Sequence, residues 1–410
     1  MKRSNLSRFL LAGLVILMGG SCIFAQDSPQ WRGAKRDGKV TGFVAPGSWP
    51  KDLTLRWKVT VGSGDATPAL VGDKLYVFTR QGEDEVVLCL NAGTGDEIWR
   101  AKYAAQAVTG AASRHPGPRS TPAVSSGKVV TLGVGGVLSC LDAASGKVLW
   151  RKDPFPKVVP RFFTSFSPIV INGMVIAHLG GQGNGAIIAY DLTAGDEKWR
   201  WSGEGPDYGS PVLLTVNGTR QIASPTEKSI VGIGITDGKL LWQVPFPPQR
   251  RAYNASTPVV DGQTIFVSGS GRGTKALKIE KQGSDFTVNE LWSNGELAVQ
   301  YNTPVLKNDM LFGLTDRNKL FCINAQTGAT AWTGADSRGS RGFGQTICAG
   351  SVLAVLANDA ELVFYKPDGK AYSEVARYKV SETEIYAHPV LSKNRIYVKD
   401  QESLTMWIVE

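Results

Sequence analysis

Short runs of apolar and β-branched residues alternate with turn-forming residues along almost the whole chain. Between residues 120 and 150, four such runs follow one another, separated by turns rich in Gly, Ser and Asp. Short apolar runs between turn residues are typical of β-strands. After residue 25, no stretch keeps the period of an amphipathic helix. The pattern predicts a unit of four antiparallel strands, which we name A to D.

This unit recurs along the chain, and all copies but one end strand D with a tryptophan. The tryptophans are 40 to 51 residues apart, and Tyr378 stands where an eighth would belong. A repeat of this length is typical of a propeller or a solenoid, and four antiparallel strands per repeat are typical of a propeller blade. The seven tryptophans are Trp57, Trp99, Trp150, Trp199, Trp242, Trp292 and Trp332.

Three further positions recur within the unit. Strand A opens with Thr-Pro or Ser-Pro, as at Thr67-Pro68, and Pro is tolerated at the start of a strand. The A–B turn carries Asn-Gly or Asp-Gly, which supply the positive φ of tight hairpins. The C–D turn ends in Gly, as at Gly95 and Gly195, which suits the left-handed position of a bulged hairpin. We expect each Trp to lie between neighbouring blades, where its large apolar surface is buried.

The two ends of the chain determine the number of blades. Trp57 lies in a strand D that has no strand A, B or C before it, and the last copy stops after a strand C around Met406. Together these pieces make one complete blade. We therefore predict an all-β fold, an eight-bladed β-propeller of four-stranded antiparallel blades over residues 55–410. Its N-terminal strand closes the C-terminal blade, which leaves no sheet edge open at the junction.

Residues 1–25 differ from the repeats. Three basic residues precede an apolar run from 9 to 18, and small residues lead to Ala25. This order predicts a signal peptide over residues 1–25, so we expect an exported protein, periplasmic or extracellular. The run is short for a membrane-spanning helix, and we expect no such helix in the mature chain. A membrane anchor and a lipid on Cys22, which would attach the protein to the outer membrane, are the alternatives. Residues 26–54 form a lead segment.

Composition and charge indicate a single globular domain. The chain has 410 residues, and 42% of them are hydrophobic. Its net charge of +9 is scattered, and three of the positive charges lie within residues 1–25. Without a basic patch, we do not expect nucleic acid as a partner. We expect a monomer.

The cysteines are predicted to be structural. Cys89, Cys140 and Cys322 occupy the same strand C position in different blades, which is too far apart for disulfide bonds. Cys348 falls in the seventh copy, and no CxxC motif occurs. We interpret all four as buried free thiols that act as small hydrophobic residues.

Residue variety is concentrated in the connections between strand D of one blade and strand A of the next. Because strand A is innermost, these D–A connections surround the mouth of the central channel, where we expect the functional surface. Its Arg, Tyr and Asn side chains suit a protein partner or a polar or anionic ligand; alternatively, they tie blades together. The candidates are Arg114, His115, Arg119, Arg161, Tyr208, Arg251, Tyr253, Asn254, Tyr301, Asn302, Arg341, Gln345 and His388.

The repeat Ala-x-Thr/Ser-Gly-x-x-x-Trp, with Thr-Pro-x-Val opening each unit, resembles the PQQ-like β-propeller repeat over residues 55–410. That family includes the eight-bladed quinoprotein dehydrogenases and the outer-membrane assembly protein BamB. Residues 30–38, QWRGAKRDG, also resemble the leader of bacterial exported proteins of this group. The resemblance implies the fold directly, whereas it leaves the function open between these two kinds of protein.

Two functions follow from the resemblance as expectations. The first is a binding or scaffold protein, similar to BamB, in cell-envelope assembly. The second is a PQQ- and calcium-dependent dehydrogenase of alcohols or sugars, with Arg119, Arg251 or Arg341 holding the quinone carboxylates. Quinoprotein dehydrogenases use an adjacent pair of cysteines, which this sequence lacks. We therefore favour the scaffold and lean against an enzyme.

Catalysis by the rim residues is a third hypothesis. A lyase or hydrolase would use His115, Tyr253 and His388 as acid and base. The resemblance to quinoprotein dehydrogenases offers Asp65, Asp207 and Asn254 as calcium ligands, although nothing in their spacing specifies a calcium site. His115 and His388 lie in copies that are not neighbours, so we expect no metal site from them.

Overall fold

The computed structural model describes residues 27–249 and 252–410, which fold into eight sheets arranged as a ring. The predicted signal peptide, Cys22, Arg250 and Arg251 lie outside the described residues. Strands A to D of blade 1 are Ala69–Val71, Lys74–Gln81, Asp84–Asn91 and Glu97–Ala104. Those of blade 2 are Ala123–Ser125, Lys128–Leu132, Leu138–Asp142 and Val148–Lys152. A short 3-10 helix, Gly110–Arg114, lies between these two blades.

The next four blades have the same strand order. Blade 3 consists of Ile169–Ile171, Met174–Gly181, Asn184–Asp191 and Glu197–Trp201. Blade 4 consists of Val212–Val216, Thr219–Pro225, Ser229–Gly234 and Leu240–Pro245. Blade 5 consists of Val259–Asp261, Thr264–Gly269, Gly273–Gln282 and Asp285–Asn294. Blade 6 consists of Val305–Lys307, Met310–Leu314, Lys319–Asn324 and Thr330–Ser337.

The last two blades each take a strand from the N-terminal part of the chain. Blade 7 consists of Gly344–Ala349, Val352–Ala357, Glu361–Tyr365 and Glu374–Lys379, with Lys39–Val40 added in parallel to its strand A. Blade 8 consists of Val390–Ser392, Arg395–Lys399, Ser403–Ile408 and, as its strand D, Thr54–Thr60. Trp57 lies opposite Met406 in this sheet. The predicted eight-bladed propeller and its closure are both confirmed.

Five of the strand D tryptophans donate a hydrogen bond to the next blade, whereas Trp242 bonds to Gln221 of its own blade; the five are Trp99, Trp150, Trp199, Trp292 and Trp332. Trp99 is buried, and its Nε1 donates to the carbonyl of Ala143 in the C–D turn of blade 2 at 3.1 Å. Trp150 repeats this bond to Leu192 of blade 3 at 3.0 Å. The glycine that ends each of these turns lies against the Trp ring. The recurring Gly-x-x-x-Trp pattern is therefore an interaction between blades, as predicted for the tryptophan.

A second set of blade-to-blade bonds lies along the channel at the residue before the proline of strand A, which is Ser or Thr in most blades. The backbone N–H of this residue in one blade donates to the side-chain oxygen of its counterpart in the next. The bonds are Thr121 to Ser167 and Ser167 to Ser210 at 2.9 Å, Ser210 to Thr257 at 2.8 Å, Thr257 to Thr303 at 3.1 Å, and His388 to Thr67 at 2.8 Å. At these five junctions, the hydroxyl is an acceptor that joins neighbouring blades.

The lead segment lies across the face of the ring that carries the A–B turns. Ser28 pairs with Leu70 in strand A of blade 1. Farther along, Val44 donates to the carbonyl of Lys393 in the A–B turn of blade 8 at 2.8 Å. Between these points the chain enters the channel. Within the described residues, no helix has the length and apolarity needed to span a membrane.

Candidate functional site

Six aromatic rings surround the channel mouth on the face formed by the D–A connections. One comes from each of six successive connections, beginning with the one between blades 2 and 3. Every ring is half-buried, so each presents part of its surface to solvent. We call this set the collar: Phe162, Tyr208, Tyr253, Tyr301, Phe343 and Tyr386.

The collar rings pack against one another in two groups. Tyr253 contacts Phe162 and Tyr208 edge to face, with ring centroids 5.3 and 5.4 Å apart respectively. In the second group, Tyr301 stacks on Phe343 at 4.3 Å, and Phe343 meets Tyr386 edge to face at 5.0 Å. Aromatic contacts of this kind hold each ring in place. The mouth is therefore a rigid, largely apolar surface.

His115 extends the second group towards blade 1. Its ring lies edge to face with Tyr386 at 4.6 Å, and its Nδ1 is 3.0 Å from a carboxylate oxygen of Asp65. Arg119, from the same connection, donates to the backbone carbonyls of His115 and Phe162. Burial lowers the pKa of Arg119. Its guanidinium is thus used to hold neighbouring connections together.

Asp207 and Asn254 form a buried polar network beneath the collar. The backbone N–H of Asn254 donates to Asp207 Oδ2 at 2.5 Å, and burial raises the pKa of Asp207 to about 7. The side-chain Nδ2 of Asn254 donates to the carbonyls of Thr226 and Phe246. Its Oδ1 accepts a hydrogen bond from Arg272 at 2.6 Å. Each polar group of this amide already has a partner within the protein.

Three other predicted site residues are also structural. Asn302 is buried, and its Nδ2 donates to the carbonyls of Leu314 and Gly342. Gln345 is half-buried, and its side chain reaches the carbonyl of Tyr386 at 3.4 Å. His388 is buried beneath the mouth against the ring of Trp31, and burial lowers its pKa well below the usual range. The expectation that His388 belongs to the open rim is therefore wrong.

Three of the remaining predicted arginines lie at the rim of the mouth. Arg114, Arg161 and Arg341 are exposed, and Arg161 lies over the ring of Phe162 at 5.5 Å. Arg251 lies outside the described residues. Together with the collar, these arginines form a positively charged edge around an aromatic surface.

The sequence predicts three of the collar rings, Tyr208, Tyr253 and Tyr301, as site residues, but not Phe162, Phe343 or Tyr386. It favoured polar side chains, whereas the feature that the six connections share is one aromatic residue each. Arg272, which bonds to Asn254 from a B–C loop, is not among the predicted site residues either. The signal that could have found the collar was the recurrence of an aromatic residue at the same place in successive connections.

The residues around the mouth do not suit a calcium ion. Asn254 Oδ1 is bonded to the cationic guanidinium of Arg272, which also lies close enough to Asp207 to influence its pKa. Within residues 27–249 and 252–410, no three His, Cys, Asp or Glu side chains converge.

The predicted contacts to a quinone are not supported by this geometry either. Arg119 is bonded to backbone carbonyls and is not directed at the mouth. The four described cysteines are free and buried, on strands of different blades, in agreement with their prediction as structural thiols. We therefore derive no chemical step through PQQ or calcium.

A separate groove of about 650 Å³ lies on the opposite face, where Trp49, Met310 and Pro367 line it. Its charged lining residues, Lys366 and Asp368, are both exposed. Binding sites for small molecules are usually specified by a few buried polar groups. Because this groove is open to solvent and has exposed charges, we do not assign a ligand to it.

Comparison with known proteins identifies the family. The family model described as "Outer membrane protein assembly factor BamB" matches residues 83–334. The chain belongs to this family. A protein named outer membrane protein assembly factor BamB from Burkholderia pseudomallei is 25% identical to it, and the alignment covers 86% of each chain.

Two solved structures, one from each kind of protein that the repeat resembles, share the fold of this chain. The structure of BamB from Moraxella catarrhalis matches 87% of this chain and 99% of its own, with a TM-score of 0.65 and 14% identity. The quinohemoprotein alcohol dehydrogenase from Comamonas testosteroni matches 93% of this chain and 80% of its own, with a TM-score of 0.70 and 15% identity. At these identities, the structural likeness shows the fold alone.

Proposed function

We propose that this BamB-family chain is an exported binding protein that acts as a scaffold in outer membrane protein assembly, and that its collar is the surface that binds a partner protein. The observation that carries this proposal is the collar itself. Six fixed, half-buried rings converge on one mouth. Aromatic residues and arginines are the side chains most often found at the centre of protein interfaces.

Two of the polar groups at the mouth are already used within the protein. Arg119 is bonded to the carbonyls of His115 and Phe162, and the amide of Asn254 is saturated. The rings of the collar therefore supply most of the surface that a partner could contact. The exposed arginines add positive charge at the edge, which favours an acidic or polar segment of the partner.

A cross-linking experiment tests this function. A photo-reactive amino acid is placed at Tyr253, in the collar, and at Leu291, an exposed position on strand D of blade 5. The two proteins are expressed in the bacterial envelope with the leader retained. We expect a specific envelope protein to be captured from position 253 and not from 291. Equal capture from both positions would contradict the assignment of the collar.

The dehydrogenase alternative is tested on the same protein. PQQ and calcium are added to the purified chain, quinone binding is followed by absorbance, and alcohol oxidation is followed with an electron-accepting dye. Stoichiometric quinone binding with turnover would overturn the scaffold function. Cell fractionation of the full chain tests export. If the protein is exported, it is recovered outside the cytoplasm.

A further inference from the structure

Residues 27–44, which we call the plug, close the channel on the face opposite the collar. The plug enters beside blade 1, where Asp27 accepts from the N–H of Gly72 at 2.9 Å. It leaves along strand A of blade 7, where Lys39 pairs with Cys348. Between these contacts it carries two arginines into the channel. Both have positive φ angles, 59° at Arg32 and 58° at Arg36.

Arg32 binds to the inner strands of blades 6 and 7. It is 5% exposed, so its guanidinium is almost completely removed from water. Its Nη1 donates to the carbonyl of Thr303 at 2.9 Å and reaches that of Thr346 at 3.4 Å, and its Nη2 donates to Pro304 at 2.7 Å. A fourth contact at 3.4 Å joins Nη2 to the carbonyl of Asp37 within the plug.

Arg36 binds to blades 3 and 4, elsewhere on the ring. It is 3% exposed, and all three nitrogens of its guanidinium donate to carbonyls at 2.9 Å: Nε to Pro211, Nη1 to Pro168 and Nη2 to Ser167. Gln30 contributes a side-chain oxygen at 3.3 Å. The ring of Trp31 lies 5.4 Å from both guanidinium groups.

The repeat explains why these carbonyls are available. At Thr121, Ser167, Ser210 and Thr257, the N–H groups are used in the bonds between blades, and the proline that follows has no N–H. Three of the acceptors, Pro168, Pro211 and Pro304, belong to these prolines. The inner ends of strands A therefore present oxygens to the channel axis without matching donors.

A channel lined in this way favours a cation with several donors. In the described part of the chain, neither Arg32 nor Arg36 forms a salt bridge with a carboxylate. Burial lowers the pKa of Arg32 to about 10 and that of Arg36 to about 9, so both remain charged at neutral pH. The nearby carboxylate of Asp37 favours the charged form of Arg32, and at both arginines hydrogen bonds to carbonyl oxygens replace the hydration of the buried charge.

We propose that the carbonyl oxygens at the inner ends of strands A form a binding site for guanidinium groups, which Arg32 and Arg36 fill within the same chain. The plug is accordingly a separable element of the protein, recognised by the channel in the way that a peptide ligand would be. The plug closes one end of the channel, and the collar surrounds the mouth at the other end.

Hydrogen exchange on the full chain tests whether the plug is separable. The variant is Arg36→Lys, since an ammonium group keeps the charge but cannot donate to three carbonyls in one plane. The matched control is Lys35→Met at the neighbouring exposed position. We expect amide exchange of residues 27–44 to rise at least tenfold in Arg36→Lys, with the blades unchanged, and no rise in the control. Unchanged exchange in the plug, or unfolding of the whole propeller, would overturn the proposal.

Binding in trans tests the site itself. A fluorescent synthetic peptide with the sequence of residues 27–44 is titrated into the wild-type chain and into the Arg32→Ala/Arg36→Ala double variant. We expect saturable binding to the double variant and at least tenfold weaker binding to the wild type, whose site is already filled. A peptide with lysine at both arginine positions is the control, and we expect it not to bind. Equal binding of the two peptides, or no binding of either, would contradict a guanidinium site.

Discussion

A methyl group added at Gly146 should push apart the contact between blades 1 and 2. Gly146 ends the C–D turn of blade 2 with a φ of 73°, and a Cβ built there would lie 2.4 Å from Cε3 of Trp99. Gly127 ends the A–B turn of the same blade with a φ of 70°, and its Cβ would meet nothing within 4 Å. Alanine at either position strains the backbone, but only at Gly146 does it displace a tryptophan.

The structure gives the size of the difference. Left-handed backbone costs an alanine about 1–2 kcal/mol, and this penalty applies to both variants. At Gly146, overpacking adds about 1–3 kcal/mol. The bond of Trp99 to Ala143, at 3.1 Å, is also disturbed, which adds about 1 kcal/mol. We therefore expect Gly146→Ala to destabilise the protein by about 2–4 kcal/mol more than Gly127→Ala.

Thermal unfolding followed by circular dichroism and calorimetry measures this difference. We expect the melting temperature of Gly146→Ala to fall clearly below that of Gly127→Ala. A second substitution, Trp99→Leu, makes room for the methyl group, so the combined loss should be smaller than the sum of the two single losses. Equal melting temperatures for the two glycine variants would refute the interpretation of the Gly-x-x-x-Trp pattern as a lock between blades.

Two further substitutions test the mouth and the closure of the ring. Burial raises the pKa of Asp207 from 3.8 to about 7. Between these pH values the folded protein holds a proton that the unfolded chain has lost. The free energy of unfolding therefore falls as pH rises from about 4 to 7, by at most about 4 kcal/mol. Asp207→Asn keeps an acceptor for Asn254 and has no charge, so its melting temperature should match the parent at pH 4 and exceed it at pH 7.5; a less stable variant at pH 7.5 would contradict this. Trp57→Ala, in the closing strand, should destabilise the protein by about 3–5 kcal/mol. The control Leu55→Ala lies at a position that is 50% exposed and should change stability by less than about 0.5 kcal/mol. Calorimetry measures both, and similar small effects would mean that the closing strand contributes little to stability.

Most of the fold could be predicted because its information is local. Alternating apolar runs, turn glycines and a Trp at a fixed offset lie within each repeat. Even the closure between Trp57 and Met406 could be predicted, since an unpaired strand D at one end and a missing strand D at the other leave one arrangement that satisfies both edges.

The sequence predicted where the candidate site lies better than it predicted the chemistry of that site. The D–A connections do surround the mouth, and Tyr208, Tyr253 and Tyr301 do lie there. Whether a polar residue faces solvent or holds a neighbouring blade depends on partners in other repeats. Asn254 illustrates this, because Arg272 and Thr226 take up its amide. No pattern within a single repeat reports such a contact.

By itself, the sequence determined the number of blades, the strand order, the closing strand and the family, because these follow from periodic patterns and turn chemistry along the chain. The tertiary structure decided which rings form the collar and where residues 27–44 lie. Arg36, for example, meets its acceptor at Pro211, 175 residues away in the chain. The physical reason is that carbonyl oxygens on a channel axis are assembled from several blades and exist as a binding surface only after the ring has closed.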